Sequence, residues 1–90
     1  MKLLFTAHAW EEYLYWQKTD PKMLEKLNEL IRDTKRNPFT GLGKPDPLKG
    51  DLTGFWSRRI LAEHRLVYRI TGKDDARQVQ IVQCRFHYER

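Results

Sequence analysis

The 90-residue sequence predicts a small α+β protein in which a hairpin of two helices packs on one face of a mostly antiparallel sheet. Three observations support this fold class. Apolar residues recur at helical spacing in two consecutive segments of the first half. A loop rich in proline and glycine follows them, and the second half holds three runs rich in aromatic and β-branched residues. The length suits a single domain over residues 1–90.

The first half begins with a short strand and continues into the helical hairpin. Lys2–Phe5 has the composition of a strand. Thr6 is placed to cap a helix over residues 7–18, since its hydroxyl can accept a hydrogen bond from a first-turn N–H. Asp20 is placed to cap a second helix over residues 21–36, and the proline that follows it is favoured at the first helical position. A break this short makes the two helices a hairpin.

The second half predicts a long loop and three strands. The loop spans residues 37–53, a length that suggests function in so small a domain. Strands are expected over residues 55–61, 65–71 and 79–88. His64, in the tight turn between the first two of these, is interpreted as structural, and all three tryptophans as core residues.

The composition limits the classes of partner. The chain carries 17 Lys and Arg against 12 Asp and Glu, a net charge of +5, which favours nucleic acid, a membrane surface or an acidic protein. The single cysteine, Cys84, excludes an internal disulfide and a cysteine-ligated zinc site, and suits a reducing cytoplasm. Its position in the strand alternation suggests a buried, inert thiol. The histidines lack metal-ligand spacing, and no apolar run approaches the ~18 residues of a membrane span, so we expect no metal, cofactor or membrane.

Strand alternation predicts a sheet with one covered and one bare face. Successive strand residues point to opposite sides, and the apolar set must meet the helices. The bare face then collects cations, an amide and an imidazole: Arg59, Arg65, Arg69, Gln83, Arg85 and His87. Two interpretations of this face stay open from the residues alone. It is either an ordinary solvated surface or a platform on which arginines bind phosphates in a bidentate manner.

Four individual residues also allow two interpretations each. Asp46 lies between two prolines that stiffen the chain, and it is either a turn residue or a held carboxylate. His87 is either a surface histidine or a general acid, because imidazole exchanges protons near neutral pH. Glu63 either orients Arg65 or is an exposed turn residue. Tyr88 is either a terminal aromatic or a ring that stacks on a base.

Five motifs occur in order along the chain and carry a family resemblance. They are YLYWQ at 13–17, GKPDPLK at 43–49, GFWSRRI at 54–60, EHRLVY at 63–68 and CRFHY at 84–88. Together they resemble the YoeB (Txe/YoeB) family of bacterial toxins, in the RelE/ParE superfamily, over essentially the whole chain. The resemblance implies a RelE/ParE-like fold and a ribosome-dependent mRNA endoribonuclease (an mRNA interferase) of a type II toxin–antitoxin system. It also implies a cytoplasmic protein whose partners are mRNA on the 70S ribosome, a YefM-like antitoxin and a second copy in a homodimer.

The resemblance also assigns roles to residues. Four residues are thereby predicted as catalytic: Asp46 as the general base of the family, Arg65 as its phosphate-binding arginine, His87 as its general acid and Tyr88 as its terminal tyrosine. The predicted supporting and RNA-binding residues are Lys44, Lys49, Arg59, Glu63, Arg69 and Arg85. One departure is that the family has glutamate where this chain has Asp46, which shortens the reach of the carboxylate by one methylene. The turn around residues 72–78 is also longer than the family pattern.

Three functional hypotheses follow. RNA carries its own nucleophile, the 2′-hydroxyl, so cleavage needs a base, cations and an acid, and no metal is obligatory. Asp46, Arg65 and His87 together favour such an enzyme. The alternatives are a non-catalytic toxin, like the gyrase-inhibiting branch of the superfamily, and an RNA-binding module on the same scaffold.

Overall fold

The computed structural model describes residues 1–87, and in that part of the chain it contains five strands and two α-helices. Their bounds are β1 Lys2–Phe5, α1 Ala7–Thr19, α2 Pro21–Arg36, β2 Asp46–Pro47, β3 Trp56–Arg59, β4 Arg65–Thr71 and β5 Gln78–Gln83. Two short 3-10 turns lie at Gly50–Leu52 and Asp74–Ala76. Tyr88, a predicted site residue, lies outside the described residues. Neither helix in this range is long and apolar enough to cross a membrane.

Both predicted helix caps are present. The Thr6 hydroxyl accepts a hydrogen bond from the amide of Ala9 at 3.1 Å, and the Asp20 carboxylate accepts one from the amide of Met23 at 3.1 Å. Each cap satisfies a first-turn N–H that has no partner within its helix. The helical hairpin is therefore confirmed, with the second helix at the predicted bounds and the first ending one residue later.

The sheet has the strand order β1-β5-β4-β3-β2. The first strand pairs in parallel with β5, and the other three pairings are antiparallel. One face packs on the helices through fully buried residues, which are Leu27, Leu30, Leu66, Tyr68, Val79 and Ile81. The predicted α+β class, with a helical hairpin on one face of a mostly antiparallel sheet, is confirmed.

The last strand differs from the prediction. It was expected over residues 79–88 but ends at Gln83. Val82 was expected to face the core, whereas Val79 and Ile81 are the fully buried residues of this strand. The pairing with β4 skips Val82, which is the signature of a β-bulge. The single-sequence alternation could not detect this extra residue.

The tryptophans divide between the core and the surface. Trp16 is buried at 5% exposure and Trp56 is half-buried, as expected of core residues. Trp10 is 44% exposed, so its assignment to the core is wrong. It stacks on Tyr13 and meets Phe5 edge-on, at centroid distances of 5.6 and 5.5 Å. These rings form an aromatic cluster at the margin of the core, in which Phe5 and Tyr13 pack against buried residues and Trp10 lies on the outside.

A buried arginine fastens the long loop to the sheet. The Arg58 side chain is fully buried, and its Nη1 donates to the Asp33 carboxylate of α2 at 2.7 Å. Its Nε donates to the Tyr68 hydroxyl at 3.1 Å. The remaining acceptors are loop carbonyls, those of Asn37, Thr40 and Leu42. Since a buried charge is costly unless it is paired and hydrogen-bonded, this network explains how the loop stays on the sheet.

Candidate active site

A cleft of about 430 Å³ opens on the sheet face that the helices leave bare. It is lined by Lys44, Pro45, Asp46, Ser57, Arg59, Arg65 and His87. These residues come from the loop, from β3, from the start of β4 and from the segment after β5. Half of the ten predicted site residues therefore meet in one place, although they are far apart in the sequence.

The short strand β2 brings Asp46 to the cleft. It pairs with β3 so that Asp46 lies opposite Ser57, and side chains of directly opposed residues share a face. The loop enters this pairing through Gly43, whose carbonyl accepts a hydrogen bond from the Arg59 amide at 2.7 Å. Gly43 has φ +77°, and a Cβ there would lie 2.9 Å from the Arg59 carbonyl oxygen. The close approach of loop and strand thus requires glycine.

The cleft is strongly cationic. Arg59 and Arg65 occupy directly opposed positions of β3 and β4. Like charges at such positions destabilise a sheet by themselves. Lys44 adds a third cation, and Asp46 is the one carboxylate among the described lining residues. An anion such as a phosphate would relieve the repulsion, and guanidinium groups suit it geometrically.

Hydrogen bonds anchor Arg65 at the rim of the cleft. Its Nη1 donates to the carbonyls of Ala62 and His64, both at 3.1 Å. These carbonyls belong to the turn between β3 and β4. The guanidinium is therefore held from the turn side while the side chain lines the cleft, a pre-organised arrangement for an anion.

His87 reaches the cleft because the chain leaves the strand. After β5 the Gln83 side-chain amide donates to three successive carbonyls, those of Arg85, Phe86 and His87. The Cys84 amide donates to the Glu12 carboxylate, and the Trp16 indole donates to the Cys84 carbonyl, each at 2.8 Å. His87 was expected on the bare face by strand alternation. It lies there, but a tethered, non-strand segment places it.

Four predicted site residues lie elsewhere or beyond the described part. Arg69 is on the bare face, where its Nε donates to the Gln80 side chain at 2.6 Å, and it does not line the cleft. Lys49 lines a separate depression beside the 3-10 turn that follows it. Glu63 is exposed in the turn before β4. Tyr88 lies outside the described residues.

The expected position of Arg85 on the bare face is wrong. Its guanidinium carbon lies 3.6 Å from the centroid of the Tyr15 ring of α1 and 4.4 Å from that of Phe86. Its Nε is buried and has no hydrogen-bond partner among residues 1–87. The alternation fails here because β5 ends at Gln83, so Arg85 follows the path of a turn. The guanidinium packs against the aromatic faces of Tyr15 and Phe86, a favourable contact for a cation.

Ser57 is a further residue of the cleft that was not predicted from the sequence. It lies in the cleft at 6% exposure, opposite Asp46. Alternation already placed Ser57 on the same face as Arg59, which is the signal that could have identified it. The pairing with β2 was the missing information, because a two-residue strand that contains a proline has no detectable period.

The cysteine lies outside the cleft, and the described residues form no metal site. Cys84 is fully buried, and burial, followed by the nearby Glu12 carboxylate, raises the pKa of its thiol to about 12. This confirms a buried thiol, which is a poor nucleophile. Within residues 1–87, no group of three or more His, Cys, Asp or Glu side chains is arranged to hold a metal ion.

A helical hairpin packed on one face of a five-stranded, mostly antiparallel sheet is the fold that this chain shares with the RelE-like toxins. Residues 5–88 match the family described as the YoeB-like toxin of bacterial type II toxin–antitoxin systems. The chain belongs to this family.

Similar proteins support the assignment over nearly the whole chain. Toxin YoeB of Escherichia coli strain K12 is 57% identical over 88 residues, which cover 98% of this chain and 100% of that protein. The solved YoeB/ParE toxin from Agrobacterium tumefaciens is similar with a TM-score of 0.93 at 58% identity, covering 98% and 100% of the two chains. Staphylococcus aureus YoeB, solved as a dimer and in a heterotetrameric YoeB–YefM complex, has a TM-score of 0.84 at 45% identity, over 98% of both chains.

Proposed function

We propose that this toxin is a ribosome-dependent mRNA endoribonuclease that cleaves mRNA in the ribosomal A site and thereby inhibits translation. The observation that carries the proposal is the cleft that gathers Asp46, Arg65 and His87 with two further cations, Lys44 and Arg59. A base, an anion-binding arginine and an acid are the groups that RNA cleavage by its own 2′-hydroxyl requires.

Each group has one task in the reaction. Asp46 accepts the proton of the 2′-hydroxyl, and the 2′-oxygen attacks the adjacent phosphorus. Arg65, with Arg59 opposite, stabilises the charge that builds on the phosphorane oxygens. His87 gives a proton to the 5′-oxygen as its bond to phosphorus breaks. The products are a 2′,3′-cyclic phosphate and a 5′-hydroxyl.

The scheme assigns every step to a side chain, so we propose that cleavage is independent of metal ions and cofactors. Tyr88, next to the proposed acid in sequence, stacks on a base of the substrate. Lys44 lies within the cleft and binds the RNA backbone there. Lys49, Glu63 and Arg69 do not line the cleft, and we assign them supporting or RNA-binding roles outside it.

The proposed partners are an antitoxin and a second copy of the chain. The S. aureus relative forms a dimer and a heterotetrameric complex with YefM. By this similarity we infer a homodimer and a YefM-like antitoxin. The antitoxin is expected to present an acidic segment that folds over the cationic cleft, because opposite potentials favour such a contact. The substrate, mRNA on the 70S ribosome, places the protein in the cytoplasm.

Cleavage of mRNA on programmed 70S ribosomes tests the proposal. Purified protein should cut the message at the A-site codon, as located by primer extension, and leave a 2′,3′-cyclic phosphate or 3′-phosphate and a 5′-hydroxyl. The same message without ribosomes should stay intact, and His87→Ala should cut at least about 100-fold more slowly. A protein that leaves mRNA intact but damages DNA on induction would instead support the non-catalytic alternative. Binding to RNA without any cleavage would support the RNA-binding module.

The independence from metal ions has its own test. A sulfur replacing a non-bridging oxygen of the scissile phosphate weakens Mg²⁺ coordination, and Mn²⁺ restores it when a metal takes part, because softer metals accept softer ligands. We expect no restoration by Mn²⁺. A clear restoration on intact ribosomes would contradict a mechanism that uses side chains alone.

A further inference from the structure

Two residues at the junction of β4 and the turn that precedes it hydrogen-bond to the backbone amide and carbonyl of Phe86. The Phe86 amide donates to Nδ1 of His64 at 2.7 Å. The Phe86 carbonyl accepts from the Arg65 amide at 3.1 Å. Two successive residues, His64 at the end of the turn and Arg65 at the start of β4, therefore clamp the residue directly before His87.

This pair of hydrogen bonds, here called the clamp, determines which ring nitrogen of His64 carries the proton. A backbone N–H can only donate, so Nδ1 of His64 must carry a lone pair, and the ring proton of the neutral imidazole is on Nε2. The ring itself is set by Trp16, which it meets edge-on at 4.9 Å between centroids. The indole of Trp16 also donates to the Cys84 carbonyl at 2.8 Å. One tryptophan thus supports both ends of the segment that leads to His87.

The conformation of Phe86 needs this support. Its φ is +65°, an uncommon value for a residue with a side chain. Half of the Phe86 surface is exposed, so packing alone does not hold it. The Gln83 amide bonds its carbonyl at 3.1 Å, but its amide hydrogen is bonded by His64. The His64 contact is therefore the specific restraint on the amide side of this residue.

We propose that His64 is a positioning residue: its Nδ1 fixes the Phe86 backbone and thereby sets where the His87 imidazole stands relative to Arg65. This inference rests on the proposed function, because its consequence is the rate of the proton transfer assigned to His87. A displacement of about 1 Å of a reacting group can lower a rate about 100-fold. Loss of the acceptor should therefore reduce the cleavage rate without weakening ribosome binding.

Two substitutions separate the hydrogen bond from the packing of the ring. His64→Phe keeps an aromatic ring against Trp16 and removes the acceptor. His64→Asn keeps an acceptor oxygen close to the Nδ1 position and gives up the ring. Leu61→Asn, an exposed change in the same turn, is the matched control for disturbance of the turn itself.

The readouts are single-turnover cleavage on programmed 70S ribosomes and hydrogen exchange of the Phe86 amide. For His64→Phe we expect a rate about 10–100-fold lower, with a half-saturating ribosome concentration within about threefold of wild type. His64→Asn should recover at least about tenfold of the lost rate, and Leu61→Asn should match wild type. The Phe86 amide should exchange at least about tenfold faster in His64→Phe and slow again in His64→Asn.

Several results would overturn the inference. One is a wild-type cleavage rate in His64→Phe. Another is a loss of cleavage rate that His64→Asn does not recover. A third is a change in ribosome affinity without a change in cleavage rate. If the wild-type protein itself fails to cleave, the proposed function is refuted. The hydrogen-exchange experiment then tests the clamp independently of cleavage. An unchanged exchange rate of the Phe86 amide in His64→Phe would reject the clamp.

Discussion

Arg58 and Asp33 form a buried ion pair, with 2.7 Å between Nη1 and Oδ2, that ties β3 to α2 beneath the long loop. The next residue, Arg59, points the other way and lines the cleft. One arginine thus holds the loop in place, while its neighbour faces the proposed substrate. Because the Arg59 amide bonds the Gly43 carbonyl, the anchored loop also delivers Lys44 and Asp46 to the cleft.

We predict that Asp33→Asn destabilises the fold by roughly 3 kcal/mol, because it leaves the fully buried Arg58 cation without its charged partner. The free energy of unfolding, measured with urea at pH 7, checks this. Asp75→Asn, in the exposed turn between β4 and β5, is the matched control and should change stability by no more than about 0.5 kcal/mol. Equal stability of the two variants would show that the buried pair does not contribute.

The same pair predicts a dependence of stability on pH. Hydrogen bonds from the Leu42 amide and then from Arg58 hold the pKa of the Asp33 carboxyl below its usual range. A carboxyl whose pKa is lower in the folded state stabilises the fold above the unfolded pKa, and this stabilisation is lost as the pH falls through the folded pKa. The stability gap between wild type and Asp33→Asn should therefore be constant from about pH 7 to 5 and shrink below about pH 4. A gap that persists undiminished at pH 3 would contradict this origin.

A third prediction concerns Cys84. Burial raises the pKa of its thiol to about 12, so almost none of it is thiolate at pH 8, whereas an unfolded cysteine is partly ionised there. Its reaction with a disulfide reagent at pH 8 should be at least about a thousandfold slower in the native protein than in guanidinium. A Thr53→Cys variant, with its new thiol in an exposed turn, should show one fast and one slow thiol. A rapid native reaction of the wild-type protein would mean that the segment around Cys84 opens readily.

The helices were predicted correctly because their signals are local in the sequence. The prediction failed where long-range contacts determine the path of the backbone. The caps Thr6 and Asp20 act within their own first turns, so the residues alone identify them. The end of β5 depends on Glu12 and Trp16, which hold Cys84 from the other end of the chain. No pattern within residues 79–88 contains that information, and Arg85 was placed on the wrong side for the same reason.

In the candidate site, too, the positions that local patterns determine were predicted correctly, and those that long-range contacts determine could not be predicted from such patterns. Alternation in β3 and β4 correctly placed Arg59 and Arg65 on the bare face, because both strands are regular there. Asp46 lies opposite Ser57 because the loop is anchored through Arg58. No role was predicted for Arg58 from the sequence. A buried arginine in a strand becomes recognisable only when its acceptors, three of which are loop carbonyls, are seen together.

A fourth prediction tests the carboxylate of the cleft. Asp46→Ala should lower the rate of cleavage on the ribosome by about 100-fold or more, as expected when a general base is removed. Asp46→Glu should cleave at least as fast as wild type, because it keeps the carboxylate and the open cleft has room for one more methylene. Asp51→Ala, in the exposed 3-10 turn, controls for loss of a nearby negative charge. A wild-type rate in Asp46→Ala would remove this residue from the mechanism.

The last prediction compares two arginines on the same face of β4. Arg65 lines the cleft, whereas Arg69 is held by Gln80 outside it. Arg65→Ala should lower the cleavage rate about 100–1000-fold, the usual effect of removing a group that stabilises developing charge. Arg65→Lys should recover only part of this loss, since an ammonium cannot bind a phosphate in a bidentate manner.

Arg69→Ala should leave the rate within about threefold of wild type and act instead on the half-saturating concentration of ribosomes, as expected of a side chain that contacts only the RNA backbone. Single-turnover kinetics on programmed ribosomes at fixed ionic strength separates the two effects. Equal losses of rate in Arg65→Ala and Arg69→Ala would mean that the charge of the whole face matters and that the cleft does not define the reaction centre. A loss confined to Arg65→Ala would place the reacting phosphate where Arg59 and Arg65 face each other across the two strands.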